Sequence, residues 1–329
     1  MRLFDEGGGM SRETLERNQV PLYLLAVLVA CIAGLLAPEP AASLQMLITP
    51  AIAVLMYAMF LQIPFLKLRE ALIDRRFVAA LLVANFILIP LLVWLLCRPL
   101  TDHPALLIGA LLVLLTPCID YVVVFTHIGK GDSQRLLAAT PILLLLQLAL
   151  LPLYLGLMLG DSLDVPIASA PFIEAFLALI VVPLVLAVIT EAAAKQSPAV
   201  RAWNAGWAWL PVPAMAAVLM LVVASQITPI VRDIERLLPV LPVYLAFVLI
   251  APLIGTLTAR LFRLPTSTAV AVTFSASTRN SLVVLPLAMA LPGELRVLAA
   301  AAIITQTLVE LLGELIYIRA IPALVRRSR

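Results

Sequence analysis

Charged side chains are scarce in this chain of 329 residues: they make up 12% of it, whereas apolar residues make up 63%. A typical soluble domain is about half apolar and about a quarter charged. This small number of polar groups cannot cover the surface of a protein in water. The composition therefore excludes a soluble fold and predicts an integral membrane protein. The net charge of +3 is small and gives no indication of nucleic-acid binding.

Cysteine and histidine are also sparse. Cys31, Cys97 and Cys118 lie in or at the ends of apolar segments without paired spacing, which gives no indication of a disulfide framework. His103 and His127 stand alone, so no zinc cluster is predicted. There is no G-x-x-x-x-G-K-[ST] loop for ATP and no nucleophile–base pair. We therefore expect neither a cofactor nor enzymatic activity.

Long apolar runs dominate what is present. Because about 20 apolar residues cross a bilayer as a helix, the sequence predicts an all-α membrane fold with about ten transmembrane helices in two five-span repeats. The repeats cover 20–160 and 170–320, with an extracellular linker at 161–169 and cytoplasmic segments at 1–19 and 321–329. The predicted spans are 20–37, 43–65, 77–97, 106–129, 134–159, 170–190, 206–228, 238–262, 266–292 and 297–319.

The basic residues orient the spans, because cytoplasmic loops of membrane proteins are enriched in Lys and Arg. Seventeen bases fall on the side that carries both termini and four on the other, leaving Arg279 within a span. We therefore predict a multi-pass protein of the cell (plasma) membrane with cytoplasmic N- and C-termini. The four bases on the opposite side are Arg98, Arg232, Arg236 and Arg296.

Two spans are interrupted by polar residues at corresponding positions of the two halves. Five spans per half make the second repeat run opposite to the first, and transporters of this kind bind substrate where broken helices meet. The alternative is two kinked helices without a ligand. The interruptions are Thr116, Pro117, Cys118 and Asp120 in span four, and Ser275, Ser277, Thr278, Arg279, Asn280 and Ser281 in span nine.

Charged residues within the spans are candidate site residues, since a charge at this depth needs a partner. Arg279 offers a planar fork of donors to a carboxylate or oxyanion, or else bridges to Asp120 or Glu310 without touching substrate. Asp120 and Glu310 are the proton-coupling candidates. Gln306, Glu310 and Glu314 share one helix face, although for Glu314 a solvated face is a fair alternative.

Neutral residues at the interruptions have two interpretations. Thr116, Asn280 and Ser281 either bind substrate or satisfy backbone groups that the breaks set free. Cys118 is either a soft ligand for trivalent arsenic or a small buried apolar residue. Asn85, in span three, is predicted to form an interhelix hydrogen bond.

The segments TPCIDYVVVFTHIGKGD (116–132) and FSASTRNSLVVLPLAMAL (274–291) resemble the fourth- and ninth-helix regions of the bile acid:sodium symporter and arsenical-resistance permease superfamily. The resemblance implies a panel domain of spans 1, 2, 6 and 7. It also implies a core domain of spans 3–5 and 8–10, in which broken helices 4 and 9 cross.

The sodium-coupled branch of that superfamily fits this chain poorly. The resemblance places Val122 and Val123 where polar sodium ligands are expected, Ser275 at a glutamate position and Arg279 at a glutamine position. Sodium needs several oxygen ligands, and a guanidinium would repel it. We therefore expect proton rather than sodium coupling. A further alternative is that the positive charge of Arg279 takes the place of the sodium ion, so that transport needs no sodium gradient.

The arsenite branch shares Pro117-Cys118 with this chain, although Leu282 replaces its helix-9 glutamate. We therefore expect secondary active transport of a small anion or weak acid. Arsenite efflux is the first candidate, with Cys118 as a transient As(III) contact, and organic carboxylate transport is the alternative. A receptor and a membrane enzyme are rivals from other classes. The expected partners are the anion and the bilayer, and a homo-oligomer is left open.

Overall fold

The structure is a computed structural model that describes residues 18–62, 74–119, 121–159, 174, 177–232 and 234–327. These residues are helical apart from turns, short connections and one isolated β-bridge. The chain divides into two compact units. One comprises Met1–Gln62 and Ile173–Asp233, and the other Ile63–Phe172 and Ile234–Arg329.

The first unit contains the helices of predicted spans 1, 2, 6 and 7, the grouping that the resemblance implies for the panel domain. The hydroxyl groups of Tyr57 and Thr190 lie 3.0 Å apart, and Thr228 donates to the carbonyl of Gly34 (2.9 Å). The helices are Gln19–Leu36, Pro38–Ser43, Gln45–Phe60, Leu177–Val181 (a π turn), Val182–Ala194, Pro198–Trp207 and Pro211–Arg232.

The second unit contains the helices of predicted spans 3–5 and 8–10, including both interrupted ones. The fourth predicted span is divided into Pro104–Leu114 and Tyr121–Ile128, and the ninth into Thr266–Ser277 and Ser281–Met289. We call these pairs the first and second broken helices. The other helices are Arg75–Val83, Ala84–Leu88 (a π turn), Ile89–Leu96, Arg98–Leu100, Ser133–Leu159, Ile234–Leu237, Leu238–Val240, Leu241–Leu261 and Gly293–Arg327.

Four helices of the described chain are long and apolar enough to cross a membrane, and a bent pair makes a fifth candidate. The pair is Pro198–Trp207 with Pro211–Ser225, bent by 46°. These spans confirm an all-α membrane protein, whereas the ten-span inverted repeat stays a prediction. The four are Arg75–Leu96, Ser133–Leu159, Glu235–Leu261 and Leu295–Arg327.

Leu241–Leu261 shows the burial pattern of a helix at a lipid surface. Every fourth residue along one face is an exposed leucine, with at least 53% of its surface accessible, whereas Tyr244, Phe247 and Ala251 on other faces are buried. Such a continuous apolar stripe is rare on a monomeric soluble protein, but in a bilayer it contacts acyl chains. The exposed leucines are Leu245, Leu249, Leu253, Leu257 and Leu261.

Small residues bring the first broken helix close to Gly293–Arg327, which we call the C-terminal helix. Gly109 faces the run Ala299–Ala302, and all four alanines are buried. A Cβ atom at Gly109 would lie 2.6 Å from the carbonyl oxygen of Ala299. Membrane helices pack through such small-residue surfaces because their backbones can then approach closely.

We expect Gly109→Ala to lower the melting temperature of the purified protein, because the added methyl group overlaps backbone atoms that cannot rotate away. Overpacking of this kind costs about 1–3 kcal/mol, more than the ~1 kcal/mol that alanine gains over glycine in a helix. Gly156→Ala is the matched control, since the added Cβ would have no packing neighbour within 4 Å among the described residues. Equal shifts for the two variants would contradict the close packing.

Candidate functional site

The first broken helix stops inside the protein with its terminal carbonyl groups satisfied. The last four carbonyls of Pro104–Leu114 all accept hydrogen bonds, beginning with one from the N–H of Leu115 (3.1 Å). Thr116 donates to the next two, through its hydroxyl group (2.7 Å) and its backbone N–H (3.3 Å). The guanidinium of Arg279 donates to the last, Leu114 (3.4 Å). The break therefore depends on a residue from the other half of the chain.

The breaks of the two helices pair as an isolated antiparallel β-bridge. The N–H of Cys118 donates to the carbonyl of Thr278 (3.0 Å), and the N–H of Asn280 donates to the carbonyl of Thr116 (2.8 Å). The two broken helices therefore meet at their breaks, as the resemblance implies. We call this bridge and the side chains around it the crossing.

The side chain of Arg279 is fully buried at the crossing, with 0% of its surface accessible. Its Nη2 atom donates to the carbonyl of Ser275 (2.6 Å) and to Oδ1 of Asn85 (2.9 Å). The guanidinium carbon lies 5.6 Å from the centre of the Phe247 ring, within the range of a cation–π contact. A positive charge is thus held in the interior by neutral oxygens and an aromatic face.

Asn85 positions this guanidinium from the π turn Ala84–Leu88. Its Nδ2 atom donates to the carbonyl of Leu81 (3.0 Å) and to the hydroxyl of Ser275 (3.0 Å). The predicted interhelix hydrogen bond of Asn85 is confirmed, but its role as a partner of Arg279 was missed. π turns occur frequently at functional sites, and a lone amide within an apolar span was the available signal.

Glu310 holds the crossing from the C-terminal helix through three donors. Its Oε2 accepts from the backbone N–H of Arg279 (2.8 Å) and from Nε2 of Gln306 (2.6 Å), and its Oε1 accepts from the hydroxyl of Tyr121 (2.6 Å). The alternative of a bridge between Glu310 and the guanidinium of Arg279 is therefore corrected: Glu310 accepts from the backbone N–H of Arg279, and the guanidinium donates to Asn85 instead. Tyr121 was missed, since nothing in its spacing links it to the C-terminal helix.

Glu314 lies one turn further along the C-terminal helix and is also fully buried (0% accessible). Its Oε1 contacts the hydroxyl of Thr278 (2.6 Å), and its Oε2 has no hydrogen-bond partner among the described residues. The alternative of a solvated face for Glu314 is therefore wrong. Helical periodicity indicated the shared face, but not how deeply this end of it is buried.

Three buried side-chain groups at the second break have no hydrogen-bond partner within the described chain: Nε of Arg279, Nδ2 of Asn280 and Oγ of Ser281. Asn280 meanwhile caps Ser281–Met289, because its Oδ1 accepts from the N–H of Val283 (3.2 Å). The positive end of a helix dipole thus lies beside donors that are not in use. This arrangement is suited to binding a small anion.

The structure brings together most of the predicted site residues. Thr116, Cys118, Arg279 and Asn280 are joined by the bridge, Ser281 follows directly, and Glu310 reaches the crossing through Tyr121 and Arg279. The side chain of Cys118 is fully buried. Asp120 lies outside the described residues, so its predicted bridge to Arg279 and its proton role stay predictions.

Comparison with known proteins places this chain in a transporter family. Residues 49–233 match the sodium bile acid symporter family, and the chain therefore belongs to it. The match includes the first break and ends before the second. A comparison with curated proteins gave no match. Membership identifies a membrane transporter of the symporter type rather than a member of an enzyme family.

Asn85→Leu should lower the melting temperature strongly, because it removes an acceptor from a buried guanidinium. We expect a loss of about 2–4 kcal/mol, since hydrogen bonds to charged groups are among the most stabilising. Gln147→Leu is the control: Gln147 is an equally buried amide in the same unit, and neither side-chain polar atom has a hydrogen-bond partner among the described residues. Comparable losses in the two variants would contradict the assigned role of Asn85.

Proposed function

We propose that this protein is a secondary active transporter that binds a small anion or weak acid at the crossing. The observation that carries the proposal is the set of unused donors at the second break, on Arg279, Asn280 and Ser281. Leaving such groups unpaired in a buried site costs free energy that a ligand recovers when it binds. A positive guanidinium and a helix N-terminus beside them select for negative charge.

The proposed architecture is the inverted repeat of ten spans, with both termini cytoplasmic and the protein in the cell membrane. Two features support it: the excess of bases on one side of the predicted topology, and two broken helices in corresponding halves whose breaks meet. In transporters of this kind, alternating access moves the elements around a fixed midplane site. No nucleotide-binding loop is needed for such a mechanism.

Arsenite is the first candidate substrate, and efflux the proposed direction. The support is Cys118, whose buried side chain lies at the β-bridge and whose N–H donates to Thr278. A thiolate is a soft ligand suited to a soft metalloid. A single cysteine cannot chelate the arsenic, so its contact is transient. A transient contact suits transport, because the substrate must be released after it crosses the membrane.

In inside-out membrane vesicles, arsenite should accumulate when a proton gradient is imposed, and Cys118→Ser should abolish the accumulation. Replacing sodium by choline should leave the flux unchanged, because the guanidinium of Arg279 already occupies the neutral oxygens of Leu114, Ser275 and Asn85. Proton coupling would then use Asp120 and Glu310.

Cys97→Ser is the matched control in that assay. Cys97 is a second buried cysteine of the same unit, at the end of Ile89–Leu96 rather than at a break. Its loss should leave arsenite flux within about twofold of the parent, as expected for a substitution away from the site. Absence of arsenite flux from correctly inserted parent protein would exclude arsenite as the substrate.

An organic carboxylate is the second candidate, favoured by a different observation. Nε of Arg279 and Nδ2 of Asn280 both carry hydrogens that no described residue accepts, and charge-assisted hydrogen bonds of this type bind carboxylates well. In this case Cys118 packs at the break without touching substrate. Family membership supports this class, because bile acids, after which the family is named, are organic carboxylates.

Asn280→Asp separates anion binding from folding. Aspartate keeps the side-chain oxygen that caps Ser281–Met289, but it replaces the Nδ2 donor by an acceptor and adds negative charge. We expect anion flux to fall by about tenfold or more with little change in melting temperature. A panel of radiolabelled carboxylates and arsenite, measured in proteoliposomes, provides the readout. Undiminished flux of every transported anion would contradict binding at this break.

A further inference from the structure

The hydroxyl group of Thr278 lies between two acceptor oxygens. Its Oγ1 atom is 2.8 Å from the carbonyl oxygen of Phe274 and 2.6 Å from Oε1 of Glu314. Both separations are those of an O–H···O hydrogen bond, yet a threonine hydroxyl carries a single hydrogen. A single hydrogen shared between the two acceptors would leave both hydrogen bonds weak. A carboxyl O–H of Glu314 that donates to Oγ1 allows both bonds to form in full, because a backbone carbonyl has no hydrogen to donate.

The remaining surroundings of Glu314 also disfavour a carboxylate ion. The residue has no accessible surface, and its Oε2 atom has no hydrogen-bond partner in the described part of the chain. An ionised carboxylate only accepts hydrogen bonds, and burying one without donors is far more costly than burying a neutral acid. Glu314 as an ion would rely on one hydroxyl that already bonds Phe274.

Glu310, one turn earlier, is equally buried but has donors of its own. Its Oε2 atom accepts from the backbone N–H of Arg279 and from Gln306. The hydroxyl of Tyr121 lies 2.6 Å from Oε1 of Glu310 and 2.9 Å from the carbonyl oxygen of Arg279, so its hydrogen is shared. Several donors to a carboxyl group favour its ionised form. Two carboxyl groups whose surroundings differ in this way take different protonation states.

The charged and titratable groups of the described residues that face this pair agree with one ionised and one neutral acid. The second broken helix contributes Arg279, and the first contributes Tyr121, whereas Tyr317 faces the pair from the C-terminal helix itself. Asp120 lies outside the described residues. A negative Glu310 balances the positive Arg279, so an ionised Glu314 would add a like charge one turn away.

We infer that Glu314 is a buried proton-binding site, whose carboxyl O–H donates to Oγ1 of Thr278 while the hydrogen of Thr278 donates to Phe274. Release of this proton leaves one hydrogen for two acceptors, so the contact with either Glu314 or Phe274 lengthens. The backbone carbonyl of Thr278 accepts a hydrogen bond from the N–H of Cys118 across the bridge. Proton release is therefore linked to the geometry of the crossing. Its use in transport rests on the proposed function, whereas the protonation itself does not.

Infrared spectroscopy of the purified protein in lipid nanodiscs at neutral pH tests the protonation directly, since a protonated carboxyl group has a C=O band that a carboxylate lacks. The parent protein should show this band, Glu314→Gln should lose it, and Glu310→Gln should keep it. Thr278→Val retains the acid but removes its acceptor, so the band should move to higher frequency. Glu235→Gln is the control, because Glu235 is exposed.

Absence of the band from the parent protein would overturn the inference. So would its persistence in Glu314→Gln, or its loss in Glu310→Gln or Asp120→Asn instead. Transport is measured separately on the same preparations. If the band is lost only in Glu314→Gln but the protein transports no anion, the proton site stands and the proposed function is rejected.

Discussion

Backbone groups released by a helix break at membrane depth must find partners within the protein, because lipid supplies none. In this molecule two breaks occur in one unit, and the guanidinium of Arg279 donates to the carbonyl ends of both, at Leu114 and Ser275. A single cation thus satisfies two helix C-termini, where the helix dipoles place negative partial charge. The crossing depends on this interaction.

The chemistry of the crossing depends on which backbone and side-chain groups at the helix ends already have hydrogen-bond partners. The guanidinium of Arg279 occupies carbonyl groups at both breaks. The start of Ser281–Met289 retains donors, on Asn280 and Ser281, that no described residue accepts. An anion or weak acid is the ligand that such donors bind. The acidic residues of the C-terminal helix lie against the same break, and Glu310 holds the backbone N–H of Arg279. The proposed substrate and proton sites therefore share one structural element, the second break.

The sequence was sufficient to locate the breaks and to predict that Arg279 is central. A charged, polar interruption of a long apolar run has few other interpretations, and the interhelix role of Asn85 followed from a lone amide in an apolar span. The partners of Arg279 were not predictable, because Asn85 lies 194 positions away. Tyr121 was missed for the same reason: its bond to Glu310 joins residues 189 positions apart.

The burial of Glu314 was another feature that the pattern could not determine. A spacing of four residues shows that Gln306, Glu310 and Glu314 share a helix face, but depth depends on what packs there. The second broken helix covers this end of the stripe through Thr278. The inverted repeat itself remains a prediction, since four of the described helices, or five with the bent pair, have the length and composition of a span.

The most direct test of the account is a structure of the protein in a lipid bilayer with a transported anion bound, at a resolution that locates the anion. We expect the anion at the second break, accepting hydrogen bonds from Nε of Arg279 and Nδ2 of Asn280, with the guanidinium still bonded to Asn85. An anion bound elsewhere, with those donors turned to other protein groups, would contradict the account.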